Sequence, residues 1–437
     1  MHQQNISLNT LPQSLGRRRI AGCLAIITTG IFIVGLFSTI TNLIPLSVLP
    51  FAWLALMLPL TILSTPFLPK VTFYAFLYLM LSLGSVLIYD PNALITLDFY
   101  RYDGNFLISF LPLLALPILP ITKINVEKIV KVYVIIGILI SLPPSIYQYV
   151  TEGYANGFFV ATNAFGGFLI SIISYLFAWL LTSNKKIFPL MLLFIAGMML
   201  VLSSSRGSIL GILAGIACFI AIQRGHRWFP VSLILMVVVT LSIILSITYP
   251  IYRNNIEGAY SFAVESADST KEANMYIRAY ENWPRGLHLF LSSPFLGTGV
   301  GSANDMPLVL LGESLFQMNL NDMRTYNSAH AHNTYLHVLG EQGIIGELLF
   351  LMMWVSVFKS IAKRRDQTFV KNGLLISFWA LTFSSFTEHR IPSPSNVFPF
   401  MLIYLFYYMN NTANYPSPNR LRDNYSNVQR VNITHQL

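Results

Sequence analysis

Twelve stretches of roughly twenty mostly apolar residues run through this chain, and they constrain its fold more than any other feature. They fall at 20–41, 47–66, 71–89, 104–122, 129–150, 162–183, 186–204, 207–222, 228–249, 334–357, 370–387 and 394–411. An α-helix of that length crosses the hydrocarbon core of a bilayer while satisfying its own backbone hydrogen bonds. Pro112, Pro117 and Pro120 interrupt the fourth run and Pro399 the twelfth. Neighbouring helices can compensate for such breaks. Composition points the same way. Only 10% of the 437 residues are charged and 54% are hydrophobic, whereas a soluble domain carries about 25% charged residues. This chain has too few charges to cover a water-facing surface. It is not a disordered protein, a disulfide scaffold or a nucleic-acid binder, and its +9 net charge matters less than where the cations sit. Cys23 and Cys218 lie inside apolar runs and read as small buried hydrophobes rather than a redox or metal pair.

The cations set an orientation. Arg17, Arg18 and Arg19 precede the first run, which reads as a retained signal anchor because no small-residue cleavage site follows it. With the N-terminus in the cytoplasm, inner segments collect Lys70, Lys123, Lys128, Lys131, Lys185, Lys186, Arg224, Arg227, Lys359, Lys363, Arg364, Arg365 and Lys371. The short outer loops then hold only Arg101, Arg206 and Arg390. This is the positive-inside pattern, and it requires an even number of spans with both ends inside. The expected architecture is an all-α integral membrane protein of about twelve transmembrane helices. A nine-helix region (1–249) leads to one large outer loop (250–333) between helices 9 and 10. A three-helix region (334–411) and a disordered cytoplasmic tail (412–437) follow. Within the loop, apolar patches at 287–296 and 306–318 could lie along the membrane surface.

Chemistry-bearing residues gather at the outer ends of the spans. Arg206 follows Ser203, Ser204 and Ser205 and precedes Gly207 in a short turn between two helices. It reads either as a snorkelling interfacial arginine or as an anion clamp, since a guanidinium fork suits phosphate oxygens and small neighbours permit close approach. Residues 328–337 read Ser-Ala-His-Ala-His-Asn-Thr-Tyr-Leu-His, placing His330, His332 and His337 at the mouth of the tenth span. The His330–His332 pair invites a metal, but no second ligand pair of matching spacing is present. The remaining readings are an interfacial role and acid–base work, in which imidazole accepts a hydroxyl proton. Glu341 lies one helical turn after His337, so it either orients that histidine or lines a wet cavity. Arg278 and Arg285 flank Trp283, and read as ordinary loop charges or as further phosphate contacts with an aromatic for stacking on sugar.

Three of these features together resemble the bacterial O-antigen ligase family, within the superfamily that also holds O-antigen polymerases and protein O-oligosaccharyltransferases. They are the Ser-Arg-Gly turn at Arg206, the Pro-Phe-Leu-Gly-Thr-Gly-Val-Gly run at 294–301, and His332-Asn333 followed after nine residues by Gly343-Ile-Ile-Gly346. The last spacing is the most specific. The resemblance implies an inner-membrane GT-C-type glycosyltransferase acting on the periplasmic side. Its donor would be O-antigen on undecaprenyl diphosphate and its acceptor a sugar of the lipid A–core, with no cofactor, metal or nucleotide sugar. It implies that His332 is the base and that Arg206 and a loop arginine hold the diphosphate; Asn333, His330, His337 and Glu341 are expected to support them. The family's loop arginine stands four residues before the aromatic, where this chain has Ala279, so the second arginine is Arg278 by a register shift, or Arg285, with Arg324 a looser candidate. The alternatives are a polymerase, whose acceptor is a second carrier-linked glycan, and a protein O-oligosaccharyltransferase. A single large outer loop and the close histidine motif favour the ligase. A lipid-linked-glycan transporter would need repeated halves and mid-membrane charges, which the sequence lacks.

Overall fold

A computed structural model describes residues 15–43, 49–50, 52–53, 56, 69–89, 105–115, 124–159, 161–223, 283–302, 331–364, 366, 368–391 and 393–412. All regular secondary structure among the described residues is helical, with no strand among them. The helices are α1 (Leu15–Ser38), α2 (Lys70–Tyr89), α3 (Asn105–Ala115), α4 (Val126–Glu152), α5 (Thr162–Thr182), α6 (Ile187–Leu202), α7 (Arg206–Gln223), α8 (Trp283–Ser292), α9 (Thr334–Ala362), α10 (Phe369–Ser384) and α11 (Pro394–Thr412). Six segments, in α1, α2, α4, α5, α7 and α9, are long and apolar enough to cross a membrane. The apolar helices α6 and α10 are shorter, at 16 residues each. Multiple helices of this kind make an all-α, multi-pass membrane protein. The runs expected at 47–66 and 228–249, most of the loop expected at 250–333, and the tail after Thr412 lie largely or wholly outside the described residues.

The helices begin and end for local reasons. Asn125 caps α4 by accepting a hydrogen bond from the Lys128 amide at 3.0 Å, and Gly153 ends that helix in the left-handed region at φ 78°. Thr368 caps α10 by accepting from the Lys371 amide. Pro143 and Pro144 sit inside α4 and Pro399 inside α11, each within a continuous helix.

Helix packing relies on small residues, because lipid supplies no hydrophobic drive between apolar helices. Gly207, Gly211 and Gly215 recur every four residues and form one stripe along α7. A Cβ on Gly211 would stand 2.7 Å from the Ala380 carbonyl oxygen, and one on Gly215 2.7 Å from that of Ile376. α7 therefore lies directly against the backbone of α10. α5 lies beside both, with Gly166 facing Ser205 and Ser208, and Gly167 facing Asn396 and Arg390. α11 forms the buried interior, with Val397, Phe398 and Phe400 to Leu405 almost wholly enclosed. Cys218 is buried as expected, but Cys23 is exposed on α1, so it does not serve as core packing.

Candidate active site

The Arg206 turn is built by the chain reversal between α6 and α7. Ser204 adopts the left-handed region at φ 56°, unusual for a residue with a side chain. Ser203 and Ser205 are fully buried, while Arg206 is exposed at the first turn of α7. Gly207 has no room for a side chain: a Cβ there would run into Thr387 and lie 3.8 Å from Glu388 Cγ. The glycine stripe of α7 thus ends where the segment after α10 passes, and this brings Arg206 beside residues 387–390.

His332 approaches the same place from α9. It too is left-handed, at φ 46°. Its Nδ1 lies 3.0 Å from Glu388 Oε2, with the imidazole side chain 30% exposed and the carboxylate side chain only 8%. Asn163 at the start of α5 donates from Nδ2 to Glu388 Oε1 at 2.7 Å, so one buried carboxylate ties the histidine to α5. Ser205 donates to Asn163 Oδ1 at 3.4 Å and shares a hydrogen bond of 2.9 Å with Ser208. Arg390, 1% exposed, donates to the Asn163 carbonyl, to Ser205 Oγ at 3.3 Å and to Ser208 Oγ at 3.0 Å. An unbroken polar network therefore runs from His332 through Glu388 and Asn163 to the serines on either side of Arg206.

Asn333 acts on the backbone. Its Oδ1 caps α9, accepting from the Tyr335 and Leu336 amides at 3.0 and 3.1 Å, while Nδ2 donates to the Phe386 carbonyl at 3.1 Å. Thr334 continues the seam. Its amide donates to the Ser385 carbonyl at 2.9 Å, and its Oγ1 accepts from the Arg390 amide at 3.0 Å. Asn333 and Thr334 thereby set the distance between α9 and the 385–390 segment, and with it the His332–Glu388 pair.

The glycine motifs form a second junction, about three turns further along α9. Gly343 breaks α9 with φ 64° and ψ −169°. The amides of Ile344 and Ile345, released from the helical ladder, donate to the Pro294 and Phe295 carbonyls at 2.9 and 3.2 Å. In return the Thr298 and Gly299 amides donate to the Gly340 and Glu341 carbonyls at 3.3 and 2.8 Å, and the Gly301 amide to Glu341 Oε1 at 3.0 Å. Side chains on Gly297 and Gly343 would collide with the opposing backbone. The 294–301 run and Gly343-x-x-Gly346 are therefore two halves of one main-chain joint. α2 braces it through Ser85, which accepts from the Val300 amide at 3.1 Å, and through Ser82, which donates to Gln342 at 3.2 Å.

The remaining predicted residues fall variously. His337 and Glu341 are paired, Nε2 to Oε2 at 3.3 Å, and almost wholly buried at 3% and 1% exposed. The His389 ring meets His337 edge-on at 4.3 Å. Burial removes the wet-cavity alternative for Glu341. Trp283 is 7% exposed and packed with Leu336 and Phe386, so it anchors α8 to α9 and offers no free face for stacking on sugar. Of Arg285 only the backbone position, in α8, is described; His330, Arg278 and Arg324 lie outside the described residues. Among the described residues no three His, Cys, Asp or Glu side chains cluster as metal ligands would.

Glu388, Asn163 and Arg390 were not singled out in the sequence for chemistry. The available signal was the triplet Glu388-His389-Arg390 at the end of an apolar helix, since ionisable residues at a membrane mouth are functional candidates. Arg390 served only to orient the loops. Asn163 carries no signal of its own.

Fold and site together define a multi-pass membrane protein with a histidine–carboxylate pair and an arginine turn at one end of its helix bundle. A family model described as O-antigen ligase matches residues 190–351, which takes in α7, α8 and His332, together with most of α6 and α9. Over that stretch the chain is similar to the O-antigen ligase family, which covers ligases, polymerases and related glycosyltransferases, and the match supports membership of it. No curated protein matches the chain.

Proposed function

We propose that this protein is an O-antigen ligase of the bacterial inner membrane, working at its periplasmic face. It transfers O-antigen polysaccharide from undecaprenyl diphosphate to a sugar hydroxyl of the lipid A–core. The observation that carries this reading is the His332–Glu388 pair held against the Arg206 turn. With Nδ1 protonated and donating to Glu388, the Nε2 lone pair is available to take the proton of an acceptor hydroxyl. The carboxylate fixes the ring and stabilises the imidazolium that forms. The acceptor oxygen then attacks the anomeric carbon, and the bond to the diphosphate oxygen breaks. Arg206 is the exposed cation at this point, and it stands at the positive end of the α7 dipole. Both stabilise charge on the departing diphosphate, so no general acid is required. Arg278 or Arg285 would supply a second cation.

The test is a deletion strain complemented with wild type or with His332→Ala, with lipopolysaccharide and the lipid-carrier fraction analysed together. Loss of His332 should reduce transfer about 10³-fold while the protein still accumulates in the membrane. The profile should show bare core alongside long glycan retained on the carrier. Core capped by one repeat unit would instead mean a polymerase, and a normal profile would end the ligase reading.

A further inference from the structure

We propose that the protein carries a second ligand site at the opposite end of α9, a pocket between α2 and α9 that binds an anionic membrane phospholipid. α9 spans 29 residues, so its far end lies roughly 40 Å from His332. A cavity of about 500 Å³ opens there. Lys70 enters it from the first turn of α2, and Lys359 and Lys363 from the end of α9. Among the described residues no carboxylate lines it, and none pairs with these three lysines. Three other cations at this end are held by contacts of their own. Lys131 sits over the rings of Trp179 and Phe369, Arg364 over Tyr407 and Tyr408, and Lys371 donates to the Arg364 carbonyl. A neighbouring cavity is lined by Glu127 and Asp366, so the absence of acid is particular to this one.

The shape suits a lipid rather than a free anion. At the lysine end the lining also includes Tyr74, Tyr408, Ser356 and Ser360, with the two serine hydroxyls donating to the Met353 and Val357 carbonyls of α9. Away from it the walls become apolar, with Met352 and Val355 both 42% exposed. The exposed stripe continues as Leu348 and Ile345 on α9 and as Phe73, Phe76 and Met80 on α2, at helical spacing on each. A phosphate headgroup among the lysines would therefore lay its acyl chains along a ready apolar surface. Basic pockets between membrane helices favour anionic headgroups in this way. The same end is the one that the lysine pattern assigns to the cytoplasm. None of these residues belongs to the His332 site.

Native mass spectrometry of the detergent-purified full chain, titrated with phosphatidylglycerol or phosphatidylethanolamine, tests this. The wild type should retain one phosphatidylglycerol with about tenfold preference. Combined Lys70→Gln, Lys359→Gln and Lys363→Gln should abolish the preference, and the corresponding three Lys→Arg changes should keep it. Should the Gln protein not fold, Met352→Trp crowds the acyl wall without touching charge and should also release the lipid. An unchanged preference in either variant overturns the site. So does an equal loss in a Lys185→Gln, Lys186→Gln control, which would mean diffuse surface charge. Displacement of the lipid by inorganic phosphate alone would show an anion site that does not read the acyl chains, and would overturn it as well.

Discussion

Two junctions meet near the start of α9, and they are held by opposite means. At the His332 junction, side chains bridge the segments: a carboxylate, an amide, two hydroxyls and a buried guanidinium. At the Gly343 junction the backbone does nearly all of it, with four amide-to-carbonyl bonds joining 294–299 to 340–345. The difference separates two tasks. Side chains that can exchange protons and charge suit chemistry, where a buried polar network also fixes their geometry. Main-chain pairing between glycines suits shape, because it lets two backbones touch and leaves no side chain free to react. Glu341 ties the glycine joint to His337, since it accepts from the Gly301 amide and faces that histidine.

If this division is right, the two junctions should fail differently. Gly343→Ala should have the largest effect, about 3 kcal/mol or more of lost stability, because a side chain meets both positive φ and the Phe295 backbone. Thermal melting of the purified protein would read it, and a melting point unchanged from wild type would show that the joint yields. Glu388→Gln should leave melting nearly intact but slow glycan transfer about 10²-fold, because a neutral amide neither fixes the tautomer nor supports the imidazolium. Transfer within twofold of wild type would remove Glu388 from the mechanism. Arg206→Lys should cost least, about tenfold in transfer, through loss of bidentate geometry with charge retained. Equal activity there would mean that the turn supplies charge alone.

The class of protein was legible from apolar run lengths, because a bilayer imposes one length on every helix that crosses it. Wherever the expected spans fall on described residues they are helices, and the sequence edges of α6, α7 and α11 lie within about two residues of the structural ones. The site was half legible. His332 and Arg206 announced themselves as ionisable groups in short polar turns, and Asn333 as the residue beside the histidine. Its work as a helix cap, and the reason for two glycines ten and thirteen residues further on, emerged only with the fold. Trp283 stayed open between an ordinary loop residue and a sugar-stacking one, since an aromatic beside arginines looks the same in sequence whether its face is free or buried.

What the sequence determined by itself was therefore local: helix length and the sign of charge at each loop. These follow from interactions within a few residues and from the solvent around them. What only the tertiary structure decided was partnership. Glu388 is 56 positions from His332 and 225 from Asn163, yet it binds both. No periodicity encodes such a contact. It arises because the glycine stripe of α7 brings that helix onto α10, and the residues that follow α10 then fall between the histidine and the arginine turn.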